Sequence, residues 1–332
     1  MEIRMLTRFD GTEAGAWYEA WHEGSAAERH SALVTAKNTE LRSLADNGTN
    51  PNRHREAWGA WDGGLCIGGM LVEWARQENL HRAEIGIAVP VAHRGRGIGA
   101  ALWDSGSQLV TSAGRTTVSV EVHVPRGRSL GDWPGGRFAA ARGFTSGLAE
   151  DRLVLDLPAP AQVLDAHERP AAGYQTHSWH GPMPADWLPV LARLTGEMAA
   201  DVPTGDLDVE AAAWNAERVG TNQERLSRIG YALVTTVITT AAGEPAGYTQ
   251  LLVESDGVHV HQDDTYVRRV HRGHRLGGLA KARNLRELVA HHPGARHVHT
   301  WTAESNAAMQ AINERFGFRP VETSHSMETS LR

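Results

Sequence analysis

Ile87-Ala-Val-Pro-Val-Ala-His-Arg-Gly-Arg-Gly-Ile-Gly-Ala-Ala-Leu-Trp103 reads as a short strand, a turn dense in glycine and the start of a helix. Ile85, Ile87 and Val89 are β-branched strand residues. Gly95, Gly97 and Gly99 free the backbone for φ > 0 and for close approach. Ala100, Ala101 and Leu102 are good helix formers. A helix entered through such a turn aims several unpaired N–H groups and its positive dipole end at one point, which suits phosphate oxygens. Arg94 and Arg96 add charge there. The alternative is a turn that is only structural.

Working outward, the chain repeats itself. Leu71-Val-Glu73 recurs as Leu252-Val-Glu254, 181 residues on. Val89-x-x-x-His93-Arg94-Gly95 recurs as Val267-x-x-x-His271-Arg272-Gly273 after 178, and Gly143-Phe144 recurs as Gly317-Phe318 after 174. Three landmarks in one order at nearly constant offset imply one fold used twice. The first half reads as strand 2–7, two helices within 11–45, strands 57–62, 65–74 and 81–89, helix 99–113, strand 117–124, a short helix 133–142 and a closing strand 152–157. The prolines and glycine between Pro158 and Gly173 mark a linker, giving halves 1–157 and 174–332.

Composition bounds the function. A length of 332 residues suits two domains, and 41% hydrophobic residues suffice for ordinary cores. The net charge of −6 gives no reason to expect nucleic acid. Cys66 is the single cysteine, which excludes internal disulfides and thiolate zinc clusters; Leu65-Cys66-Ile67 reads as buried strand. No run approaches the ~18 apolar residues of a membrane span, and the N-terminus lacks a secretory pattern. A cytoplasmic protein, monomer or homodimer, is expected.

The glycines fit neither GxxxxGK[ST] nor GxGxxG. Arg94-Gly-Arg-Gly97-Ile-Gly99 does fit [Q/R]-x-x-G-x-[G/A], and in this it resembles the acyl-CoA pyrophosphate loop of the GNAT acetyltransferases. With the repeat, the whole chain looks like a tandem GNAT protein, similar in arrangement to mycothiol synthase and other actinobacterial tandem members. The resemblance implies an α/β (α+β) fold: two mixed twisted sheets flanked by helices, each splayed between its fourth and fifth strands. It implies acetyl-CoA as cofactor and a small-molecule amine as acceptor, with direct attack and no covalent enzyme intermediate.

Carried over residue by residue, the resemblance assigns cofactor binding to Ile87, Ala88 and Val89 on the fourth strand and to Arg94, Gly95, Arg96, Gly97, Ile98, Gly99 and Ala100 in the turn. The second half offers Thr265, Tyr266 and Val267, then Arg272, Gly273, His274, Arg275, Leu276, Gly277 and Gly278. Arg275 replaces the middle glycine, so that turn is expected to bind differently or poorly. Asn306 and Asn313 are further cofactor candidates. The amide of Val89 or Val267 is expected to polarise the thioester carbonyl.

The family's base often lies on the fourth strand, six residues before the valine. That position is His261, with His259 and Asp263 on its face and Asp264 opposite. In the first half it is Ala83; Glu84 is one place off unless a bulge intervenes. The candidate bases are therefore His261, Asp263 and Glu84. The family's tyrosine acid is replaced by Ala139 and Asn313. Asp201, Asp206, Asp208 and Glu210 are expected to wall the acceptor site of the second half, or else form a solvated loop. His259, His261, His297 and His299 have the donor chemistry of a zinc set, but the strands that carry them diverge, so no metal is expected. The rival function is a CoA-binding module with one or both halves silent.

Overall fold

A computed structural model describes residues 1–168 and 171–331. The chain divides into two compact units: residues 1–149 with 204–210 and 322–332, and residues 150–203 with 211–321.

The first unit contains strands β1 (Glu2–Met5), β2 (Arg53–Asp62), β3 (Leu65–Ala75), β4 (Arg82–Ala88) and β5 (Thr117–Pro125). Helices α1 (Thr12–Ala26) and α2 (Lys37–Ala45) precede β2; α3 (Ile98–Ser112) joins β4 to β5, and α4 (Pro134–Ala140) follows. The next elements are β6 (Thr145–Asp156), α5 (Ala161–His167), β7 (Tyr174–His180), α6 (Leu188–Ala199), α7 (Ala216–Ile229), β8 (Ala232–Thr240), β9 (Pro245–Val253) and β10 (His259–Val267). The chain ends with α8 (Leu276–His291), β11 (His297–Ala303), α9 (Ala307–Phe316) and β12 (Arg319–Ser330).

Strand order is β1-β2-β3-β4-β5-β12 in the first unit and β6-β11-β10-β9-β8-β7 in the second. In each, one parallel pair interrupts antiparallel neighbours: β4 with β5, and β10 with β11. Helices cover both faces. On one face of the first sheet, Ile98 and Leu102 of α3 pack on Met70, Val72 and Ile85; on the other, Trp17 and Leu44 pack on Ala57 and Leu71. The second sheet repeats this, with Leu285 and Phe316 on Leu251 and Val260, and Leu191 and Val219 near Val237 and Tyr248. This is the expected mixed sheet flanked by helices, twice.

The compact units differ from the continuous halves 1–157 and 174–332. The closing strand read over 152–157 of the first half lies in β6, which pairs through Glu150–Asp156 with β11, and Glu322–Ser330 of β12 pair with β5. Leu153 and Leu155 join the core under α8, and Met327 joins the core under α3. Alternating apolar residues say which face a strand buries and not which sheet receives it. The expected linker 158–173 also carries a helix, α5, whose Leu164 is buried in the second core; Pro170 of that stretch lies outside the described residues. Cys66 is a buried thiol, pushed by burial up to about 11, within β3. No helix among the described residues is long and apolar enough to cross a membrane.

Candidate functional site

Both glycine-rich turns take one backbone shape. In the first, Gly95 (φ 74) and Gly97 (φ 78) are left-handed, and Gly97 leads into α3. In the second, Gly273 has φ 86 and Arg275 itself adopts φ 62, ψ 16 as it leads into α8. Arg275 leaves the backbone shape of the turn unchanged: the arginine itself takes the left-handed conformation, at a cost on the order of 1 kcal/mol. Among the described residues, the amides of Gly95 to Ala100, and of Gly273 to Gly278, donate to no acceptor. Open space lies where a Cβ would sit on Gly95, Gly97 or Gly273. Six unpaired N–H groups at a helix start, facing open space, form an anion cradle in each unit.

The arginines expected at the phosphates are turned elsewhere. Arg94 Nε donates to the Val89 carbonyl (3.0 Å) and Nη1 to Glu28 (2.9 Å). Arg272 Nε likewise donates to the Val267 carbonyl (3.1 Å), with its other nitrogen on Asp201. Each guanidinium thus braces the turn against the end of the preceding strand. Arg96 is exposed, 3.3 Å from His93 Nδ1. His274 Nδ1 donates to the carbonyls of His271 and Arg272.

The splay follows from the pairing register. β4 and β5 pair only at Arg82↔Thr117, Ala83↔Val118 and Glu84↔Ser119; β10 and β11 pair only at His259↔His297, Val260↔Val298 and His261↔His299. Beyond these residues the strands part, and a cavity opens from each gap to its turn. The first, about 730 Å³, is lined by Ile87, Ala88, Val89, Gly95, Gly97, Ile98, Gly99 and Ala100. The second, about 970 Å³, is lined by Tyr266, Val267, Asn306 and the whole run Arg272–Gly278. Arg268 N–H bonds the Ala246 carbonyl. The alternation of an antiparallel ladder therefore turns the Val267 N–H away from β9 and toward the gap.

A bulge changes which residues correspond. The register of β10 on β9 shifts by one between Gln262 and Thr265, whereas β4 pairs with β3 without interruption. Glu84, not Ala83, is therefore the counterpart of His261, each being the last paired residue before its gap. Ala83 is buried in the core. The bulge that Glu84 required lies in the other half.

Glu84 lines the first cavity with Glu40, Glu73 and Glu121. Arg55 pairs with Glu40 (3.1 Å) and Glu73 (3.0 Å), and Ser324 donates to Glu121. Glu84 forms no ion pair among the described residues. The surrounding protein, then the charges of Glu73 and Glu121, push its carboxyl up to about 7. In the second cavity Asp263 occupies the bulge, and the protein around it, then Asp264, push it up to about 8. Both residues keep part of their surface exposed. Asp264 turns away, accepting from Tyr248 Oη at 2.5 Å.

The strand histidines have other engagements. His261 Nε2 lies 2.5 Å from buried Glu254 and its ring stacks on Trp301; it is not among the residues lining the cavity. Arg152 donates to His299 Nδ1 (2.8 Å), and His299 Nε2 lies 3.0 Å from His259 Nδ1. Arginine only donates, so His299 carries its proton on Nε2 and passes a hydrogen bond to His259. Burial, then Arg152, press its pKa down to about 2. His297 bonds Asp156. The four rings are hydrogen-bonded in separate directions and do not converge on one point.

Two further expectations are corrected. Asn313 is fully buried and absent from the cavity wall; it accepts from Lys281 Nζ (3.0 Å) and donates to Thr302 (3.0 Å). Asn306 caps α9 through Met309 N–H while lining the cavity. Of the acidic run, Asp201 does line the second cavity, as expected, bound to Arg269 and Arg272, which hold its pKa low. Residues 204–210 belong to the first unit, where Asp208 meets His81 and Glu210 meets Asn79, so this loop does not wall the second cavity.

Lys281 is the residue that sequence reasoning missed. It is 1% exposed, lines the second cavity, and lies 5.3 Å from the Phe318 ring. Burial lowers its pKa to about 7. Its place matches Trp103 of α3, 178 residues earlier, which packs on Phe144. That offset was the available signal.

The model of the acetyltransferase (GNAT) family matches residues 16–131. A tandem GNAT protein from the clavulanic acid biosynthesis pathway, solved without acetyl-CoA, superposes with a TM-score of 0.82 at 25% identity, covering 99% of this chain and 98% of that one. A GCN5-related N-acetyltransferase from Sphaerobacter thermophilus shares the fold with a TM-score of 0.66 at 15% identity, over 100% and 96% of the two chains. No curated protein sequence matches. Residues 16–131 thus match the acetyltransferase (GNAT) family, and the chain as a whole has the two-unit fold of a tandem GNAT protein.

Proposed function

We propose that the protein transfers an acetyl group from acetyl-CoA to the primary amine of a small molecule, with the chemistry in the first cavity. Glu84 carries this reading. A general base must be ionised at working pH and sit where the reacting groups meet. Glu84 stands at the start of the gap, in no ion pair among the described residues, with a pKa near 7. Asp263, near 8, is mostly protonated at neutral pH, and His261 is held by Glu254. Those two facts support a second half that retains the cofactor without turnover.

Acetyl-CoA supplies the activated thioester. The unpaired amides of Gly95–Ala100 would hold its diphosphate, and those of Gly273–Gly278 would do so in the second unit. The backbone of Ile87–Val89 faces the arm. Glu84 accepts the amine's proton as nitrogen attacks the thioester carbon directly; the C–S bond breaks, CoA leaves and is protonated to its thiol, and no residue forms a covalent bond. Glu73 and Glu121 beside it favour a cationic acceptor.

The test is an amine panel read by thiol release, with CoA binding measured separately by calorimetry. Glu84→Gln is expected to lose about 10²–10⁴ in kcat while still binding CoA, and wild-type kcat to rise with pH through about 7. Arg96→Glu and Arg275→Glu place a carboxylate in each cradle and assign binding to each cavity. Full activity of Glu84→Gln on an amine that the wild type acetylates would move the chemistry elsewhere; failure of either cavity to bind CoA would remove that cavity from the reading.

A further inference from the structure

The geometry points to a divalent-metal site of N,N,O character in the second unit, formed by His180, Glu287 and His291. His180 ends β7, the edge strand of its sheet, and Glu287 and His291 stand one turn apart on α8. Each offers one ligand atom, and all three atoms lie within 4.8 Å of one another. His180 Nε2 is 3.0 Å from Glu287 Oε2, close to the spacing of about 3.3 Å between neighbouring ligands of a tetrahedral zinc. His291 Nδ1 donates to the Glu287 carbonyl at 3.0 Å, through a proton that metal binding at this nitrogen would displace; it is 3.8 Å from the same carboxylate oxygen, and the two imidazole centroids lie 3.5 Å apart.

The surroundings hold this arrangement. Arg283 grips the other carboxylate oxygen, Oε1, at 2.7 Å, leaving Oε2 toward the histidines. Such outer contacts fix ligand orientation at metal sites. The carboxylate and imidazole donors suit a borderline divalent ion such as zinc, with water completing the shell. The proton now shared between His180 and Glu287 would leave as the metal enters. Bound there, the ion ties the edge strand to the far end of the helix whose first turn forms the second amide cradle. This site is independent of the proposed transferase chemistry.

Equilibrium dialysis of the full chain against zinc chloride at pH 7.5, with metal content measured, tests it. One zinc per chain is expected, with proton release on binding and a higher thermal midpoint that a chelator reverses. His291→Ala, at a half-exposed helix end, and Glu287→Gln are each expected to abolish stoichiometric binding; Arg283→Ala weakens it by about 10–100-fold. His297→Ala, elsewhere in the unit, leaves it intact. Absence of saturable one-per-chain binding, or its persistence in both His291→Ala and Glu287→Gln, overturns the assignment.

Discussion

Lys281→Met replaces a buried amine with an unbranched apolar chain of similar reach. Burial lowers the lysine from 10.5 to about 7. A base with a lowered folded pKa binds fewer protons in the folded state than in the unfolded one across that window. Wild-type stability therefore rises as pH climbs from about 7 toward 10.5, and below 7 the full penalty applies. At pH 7 the penalty is about 4 kcal/mol. Methionine removes it but strips Asn313 Oδ1 of its donor, which costs about 1–3 kcal/mol. The variant should be more stable by roughly 1–3 kcal/mol at pH 7 and should lose that advantage near pH 10. Urea unfolding of both proteins at the two pH values measures it. A difference that does not change with pH, or a variant less stable at pH 7, would refute a neutralised buried amine.

Other outcomes follow from the same geometry. Arg275→Gly should raise stability by up to about 1 kcal/mol, and Arg275→Val should lower it, because only glycine takes a left-handed φ without strain; equal thermal midpoints would contradict this. A Cβ on Gly24 would sit 2.7 Å from the Val89 nitrogen, so Gly24→Leu should push α1 off the end of β4 and cost about 1–3 kcal/mol, read by thermal unfolding beside CoA affinity. Cys66, buried with a raised pKa, should resist thiol reagents at pH 8 until the protein is denatured.

The sequence by itself determined the repeated unit, its strand–turn–helix cradle and most element boundaries. Those rest on local physics: β-branched runs, glycine where φ is positive, and apolar period. Only the tertiary structure decided which closing strand completes which sheet, since residues 150–156 and 322–330 carry patterns that either sheet could bury. It also decided that Glu84 stands opposite His261, because a one-residue bulge is visible in the pairing of two strands and not in counting along one. Lys281 stands in none of the sequence motifs, and Arg94 reads as a phosphate ligand beside the turn. Burial and partner choice assign the first to a cavity wall and the second to a brace, because both depend on atoms contributed by distant segments of chain.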